Sequence, residues 1–106
     1  MSELLVADAE GVRRITMNRP EKRNALTGGM YAAMADALRE AANRQAIRAI
    51  LVTGGPECFT AGNDLADFHA RSQGPAKAPS PGRDFLEALR ECPKPVVAAV
   101  AGVASA

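Results

Sequence analysis

Cys58-Phe59-Thr60-Ala61-Gly62-Asn63-Asp64-Leu65 is the stretch around which this chain of 106 residues is organised. Just before it, Ala49-Ile50-Leu51-Val52 is a short apolar run with Thr53 beside it, the signature of a buried strand. Gly54-Gly55-Pro56 breaks that strand, because glycine permits positive φ and proline fixes a turn. Phe59 and Thr60 resume an extended path, and Ala61-Gly62 are too small to shield the backbone. Asp64 is a good N-cap for a helix opening at Leu65. A small-residue turn that runs into a helix start leaves backbone N–H groups without internal partners, and such a place can hold a negative oxygen. The Asn63 N–H is the donor this pattern favours, although an ordinary strand-turn-helix connection with a capping aspartate uses the same residues.

Outward from this stretch the pattern stays that of an α/β domain. Leu4-Leu5-Val6 and Val12 to Met17, separated by the Asp8-Ala9-Glu10-Gly11 turn cluster, read as a β-hairpin with one polar face. Pro20 ends the second strand, and Glu21 to Leu26 is a charged loop holding the basic pair Lys22-Arg23. Thr27 caps a helix to about Asn43, with Met30, Ala33, Met34, Ala37, Leu38 and Ala41 on one apolar face. Ala46 to Thr53 supplies the next strand. After Asp64 a short helix to about Ala70 carries His69, the only histidine, in a polar setting that suits a solvated side chain. Ser72 to Gly82, rich in Pro and Gly, reads as a flexible loop, placed either as a flap over a ligand or as a surface insertion. Asp84 to Glu91 is helical with Phe85, Leu86 and Leu89 on one side, Val96 to Val100 is a buried strand, and Gly102 to Ala106 begins a small-residue turn.

Composition narrows the function. Thirteen basic and 12 acidic residues are scattered to a net charge of +1, and there are three Phe, one Tyr and no Trp. No basic stripe or stacking platform for nucleic acid emerges. Cys58 and Cys92 lack metal-ligand spacing and read as small, buried or half-buried thiols in a reducing, cytoplasmic setting. No apolar run reaches the length of a membrane span, no His/Cys/Asp/Glu cluster calls for a metal, and no signal-peptide pattern opens the chain. The apolar run from Val96 to Ala106 stops without a cap or polar tail, which leads us to expect that residues 1–106 are the N-terminal part of a single domain, truncated at its C-terminal side.

Four blocks occur in one order: Asn18-Arg19-Pro20-Glu21-Lys22-Arg23-Asn24-Ala25-Leu26, Ile50-Leu51-Val52-Thr53-Gly54, Phe59-x-Ala61-Gly62-x-Asp64-Leu65, and Lys94-Pro95-Val96-Val97-Ala98-Ala99-Val100-x-Gly102. Together they resemble the N-terminal part of the enoyl-CoA hydratase/isomerase (crotonase) superfamily, over nearly the whole chain. Gly62-Asn63-Asp64-Leu65 looks most like the Δ3,Δ2-enoyl-CoA isomerase branch. The resemblance implies a spiral of ββα units and an acyl-CoA substrate, with no cofactor other than the coenzyme A that is part of the thioester. It also implies a homotrimer or a dimer of trimers. On this resemblance the Asn63 backbone N–H is the first of two oxyanion donors, with Gly62 allowing close approach. Ala61, Gly62, Asn63, Asp64 and Leu65 line the thioester. Lys22 and Arg23 would meet phosphate of the coenzyme A nucleotide, with Ala25 near the adenine; the alternative is a solvated loop.

Enoyl-CoA isomerisation or hydration also needs a carboxylate within reach of the substrate carbon. Glu87 and Glu91 look solvated, Glu57 sits in a loop, and Asp64 is explained by its cap, so none of them is named as the base. The resemblance implies that the base and the second donor lie beyond Ala106. Two functions therefore stand side by side: an acyl-CoA isomerase or hydratase, and a non-catalytic acyl-CoA-binding or scaffold homologue. A generic α/β fragment without a ligand is the third.

Overall fold

Glu10 and Gly11 both take positive φ, 53° and 82°, the backbone that a two-residue hairpin turn requires. They join strand β1 (Leu4–Ala9) to strand β2 (Val12–Met17) in antiparallel register from Ala9–Val12 to Leu4–Met17. The hairpin is as the sequence predicts. The computed structural model describes residues 2–73 and 80–105. Helix α1 (Gly28–Ala42) then crosses over to strand β3 (Ala49–Thr53), which lies parallel to β2, as a helical crossover permits. Strand β5 (Val96–Ala99) extends the sheet on the far side of β3, giving the order β1-β2-β3-β5. Strands β4 (Cys58–Thr60) and β6 (Val103–Ala104) pair separately and in parallel.

The cap and face of α1 follow from its sequence. Thr27 Oγ1 accepts the Met30 N–H at 3.2 Å, and Met30, Met34, Ala37, Leu38 and Ala41 are buried as the 3.6-residue period requires. Ala35 joins them, while Ala33 is only half-buried. These side chains meet Ile15 and Met17 of β2 and Ile50 and Val52 of β3 in one core, which helix α3 (Pro81–Glu91) joins through Ala88. The third inward position of β2 is Arg13, an unexpected core residue at 3 % exposure. Its guanidinium donates to Asp8 at 2.8 and 2.9 Å, to Glu40 at 2.8 Å and to the Ala37 carbonyl at 3.0 Å. Buried charge is tolerated when paired in this way.

Several expected boundaries move. The strand expected from Ala46 begins at Ala49, because Ile47 N–H closes a turn onto the Arg44 carbonyl and Arg48 N–H turns to Gly11. Helix α2 (Leu65–Ser72) runs two residues past Ala70. The expected loop from Ser72 to Gly82 is shortened at both ends. Ser80 is an N-cap, its hydroxyl accepting the Arg83 N–H at 3.1 Å, and Pro81 occupies the first helical position that proline favours. The flap expectation therefore falls on 74–79, which lie outside the described residues. Leu86 is exposed rather than packed beside Phe85 and Leu89.

The C-terminal strand is the main correction. Val97 is 56 % exposed and Val100 equally so, against the expectation of a buried strand. Among the described residues β5 lies at the edge of the sheet with β3 as its one neighbour, and no described element covers its outward face. The segment expected to turn after Gly102 instead forms β6 alongside β4, where Ser105 N–H donates to the Thr60 carbonyl at 2.9 Å.

Candidate functional site

The peptide between Gly62 and Asn63 sets the geometry. Gly62 takes φ +96°, a left-handed conformation natural to glycine. Its carbonyl accepts the Leu26 N–H at 2.8 Å, and the Leu26 carbonyl accepts the Asp64 N–H at 2.9 Å, forming an isolated parallel bridge. In a trans peptide the N–H points opposite to the C=O. Anchoring the Gly62 carbonyl on Leu26 therefore aims the Asn63 N–H away from the 19–26 loop. Among the described residues none accepts a hydrogen bond from it.

Asp64 caps α2 as expected, its carboxylate accepting the Asp67 N–H at 2.8 Å. The same carboxylate takes the Arg19 guanidinium at 2.7 Å. The Asp67 N–H and the Arg19 charge hold its pKa below the ordinary aspartate value. A carboxylate so stabilised in its ionised form is a weak base, which weighs against proton transfer at Asp64. Glu87 is paired with Arg90 at 2.6 Å, and its pKa is also lowered by that partner. His69 is exposed on α2.

Two cavities flank this turn and share Asn63, Asp64 and Phe68. One, of about 580 Å³, is lined by Lys22, Ala25, Ala61, Asn63, Asp64 and Leu65 together with Ala66 and Phe68. The other, of about 460 Å³, lies between α1, α2 and α3, with Leu26, Tyr31, Phe68, Phe85 and Leu86 as its apolar wall. Of the substrate-contacting residues expected from the sequence, Lys22, Ala25, Ala61, Asn63, Asp64 and Leu65 share the first cavity. Gly62 sits between two of them in sequence. Arg23 does not join them. Lys22 ends a 3-10 turn (Pro20–Lys22), and Arg23 takes left-handed φ 51°, so successive side chains leave on different sides. Arg23 instead lines a third cavity with Asn24, Gly54, Gly55 and Cys58.

Asn24 and Arg19 are the residues that sequence reasoning missed. Asn24 is 2 % exposed with φ 56°. Its Nδ2 lies 3.0 Å from the Gly54 and Cys58 carbonyls and 3.2 Å from that of Phe59, while its Oδ1 accepts the Arg19 N–H at 2.7 Å. Its own carbonyl accepts the Thr60 hydroxyl at 2.7 Å, and that hydroxyl oxygen in turn accepts the Gly62 N–H at 3.1 Å. Asn24 thus ties the Lys22 loop to the strand that carries the turn. In the sequence it is only one more polar residue at the end of a charged loop, after Lys22 and Arg23. Asn24→Asp keeps the shape and the tolerance of positive φ but turns a donor into an acceptor facing three carbonyls. It is expected to destabilise the fold by about 2–3 kcal/mol in chemical denaturation, and unchanged stability would refute the role.

Cys58 and Cys92 are free, half-buried thiols. Among the described residues no group of three His, Cys, Asp or Glu is arranged to hold a metal, and no helix is long and apolar enough to cross a membrane.

The model of the enoyl-CoA hydratase/isomerase family matches residues 7–106. The chain belongs to this family. Among curated enoyl-CoA hydratase/isomerase relatives, it is 36% identical to 1,2-epoxyphenylacetyl-CoA isomerase of Escherichia coli, over 99% of this chain and 42% of the relative. It is likewise 36% identical to enoyl-CoA delta isomerase 2 of Rattus norvegicus, over 95% of this chain and 27% of that protein. The solved structure of Pseudomonas aeruginosa OdaA superposes with a TM-score of 0.87 at 45% identity, over 96% of this chain and 40% of that one. An enoyl-CoA hydratase/isomerase structure from Pseudoalteromonas atlantica gives 0.84 at 40% identity, over 93% of this chain and 39% of that one. The chain thus spans less than half the length of the relatives it matches. Its fold is the N-terminal portion of the crotonase-like α/β architecture, as the resemblance implies.

Proposed function

We propose that the protein processes an acyl-CoA thioester by stabilising its enolate, with the Asn63 backbone N–H as one oxyanion donor. The observation that carries this reading is the Asn63 N–H, which has no acceptor among the described residues and is turned away from Leu26 by the Leu26–Gly62 bond, at a residue that lines one cavity with Lys22 and Ala25. The thioester carbonyl oxygen accepts that N–H. Negative charge that develops on the oxygen as a general base, which the described carboxylates do not supply, takes the α-proton is stabilised there, and return of a proton from that base's conjugate acid to the γ-carbon shifts the double bond. Gly62-Asn63-Asp64-Leu65 and the names of the Escherichia coli and rat relatives favour isomerisation over hydration. Coenzyme A enters as part of the substrate, and no separate cofactor is required. The proposal extends to a cytoplasmic homotrimer or dimer of trimers.

Lys22 is the phosphate partner in this reading and Arg23 is not, since the two line different cavities. Incubating the whole protein with a 3-enoyl-CoA should yield the conjugated 2-enoyl-CoA. Lys22→Glu should raise KM about tenfold, the worth of one charge-assisted contact. Arg23→Glu should leave KM within about twofold of the wild type. Equal effects at both positions would remove Lys22 from the role.

A second reading rests on the carboxylates. Asp64 is engaged by Arg19 and Asp67, Glu87 by Arg90, and Glu57 lines the third cavity, away from Asn63. A protein that binds acyl-CoA without turning it over fits those observations. Saturable binding of an acyl-CoA with no product from any enoyl-CoA would favour it.

A further inference from the structure

We propose that Tyr31 is a positioning residue for the Asn63 donor, a role that rests on the oxyanion reading of Asn63 above. Tyr31 stands on α1, and its hydroxyl donates to the Asn63 side-chain oxygen Oδ1. Its ring is fixed from the other side by Phe85 of α3, with centroids 5.7 Å apart and planes at 44°. Gly82 faces the same ring, where an added Cβ would stand 3.7 Å from it. Tyr31 and Asn63 both line the cavity between the helices. The ring that carries the hydroxyl is therefore held by packing between two helices, which sets the aim of a hydroxyl that itself lies at the exposed mouth of the cavity.

The reason for such a contact lies in the chemistry of asparagine. In turns the Asn side-chain oxygen competes for its own and neighbouring backbone N–H groups. At position 63 that competition would draw on the N–H groups at the turn, including the donor meant for the thioester oxygen. By donating to Oδ1, Tyr31 satisfies the side-chain oxygen and holds it away. The donor then waits unpaired, with no internal bond to break when substrate arrives, which is the condition for electrostatic preorganisation. Asn63 is also exposed, so little besides Tyr31 restricts its side chain among the described residues.

The test uses the whole protein and a double-mutant cycle. Tyr31→Phe keeps the ring on Phe85 and removes the hydroxyl alone. It should lower kcat about five- to tenfold, the effect of one hydrogen bond of ordinary net worth, with KM and the thermal midpoint nearly unchanged. Asn63→Ala keeps the backbone donor and removes the competing oxygen, and in that background Tyr31→Phe should have no further effect. The same cycle can be followed without turnover, through the fraction of a bound 3-oxoacyl-CoA that is held as its enolate. An undiminished kcat and enolate fraction in Tyr31→Phe would overturn the proposal. So would an equal loss in both backgrounds, which would mean that the hydroxyl meets substrate directly. The outcomes separate cleanly from the parent reading: an active Gly62→Val enzyme sinks the oxyanion assignment, whereas an inactive one beside a silent Tyr31→Phe sinks only this inference.

Discussion

Gly62→Val is expected to lower turnover of an enoyl-CoA by about 10²- to 10³-fold, the cost of one oxyanion donor, while the protein remains folded. The argument is conformational. At φ +96° a side chain is strained by about 1–2 kcal/mol, and a β-branched one is among the worst placed there. The cheapest relief is rotation of the peptide that joins residues 62 and 63. That peptide carries both the carbonyl held by Leu26 and the N–H proposed to hold the thioester oxygen. Relieving the strain therefore swings the donor away, and the loss should fall on kcat more than on KM. Asn63→Ala, which leaves the peptide in place, is the control expected to stay active. A Gly62→Val enzyme with wild-type kcat would refute the assignment.

Gly54→Ala should have the largest effect on stability, about 3 kcal/mol or more in chemical denaturation, beyond the usual range for overpacking because the obstacle is backbone. A Cβ at Gly54 would lie 2.2 Å from the Phe59 carbonyl oxygen and 2.3 Å from that of Cys58. Both carbonyls are also gripped by Asn24, as is that of Gly54 itself. Neither strand can retreat without breaking that grip. Gly28→Ala is the instructive contrast. Its Cβ would come nominally closer, 1.4 Å from the Arg71 guanidinium, but the far end of a flexible arginine moves easily. Gly28→Ala should therefore change stability by less than about 1 kcal/mol. If both variants cost the same, the distinction between rigid and yielding neighbours fails.

Much of this was legible in the sequence because it is local. The Glu10-Gly11 turn, the Thr27 and Asp64 caps and the Met30–Ala41 face each depend on residues within a few positions of one another. What escaped depends on pairings between distant segments. Val97 reads as core from its own neighbours, and only the sheet order reveals that it lies on an edge. Val103–Ala104 reads as a turn until β4 is placed beside it. Arg13 breaks the hydropathy alternation of its strand, and its burial becomes sensible once Asp8, Glu40 and the Ala37 carbonyl converge on it. Ser80-Pro81 lies in a Pro-rich stretch that reads as a loop, although the pair is a helix start by its own chemistry. For the candidate site, the turn at residues 61–65 was legible, whereas the parting of Lys22 from Arg23 hangs on one left-handed residue. No periodicity announces such a residue.

The bridge between Leu26 and the Gly62–Asp64 turn, with the Ala61 N–H on the Arg23 carbonyl, makes the Lys22 loop and the turn a single stiff piece, closed by three main-chain bonds and braced by Arg19 on Asp64. A ligand that seizes this piece at its nucleotide end also settles the far end where the thioester would lie. On the proposed function, affinity spent on the remote half of the substrate would therefore return as alignment of the reacting half. Thioesters cut down to the pantetheine arm would then be not merely loosely held but slow once bound.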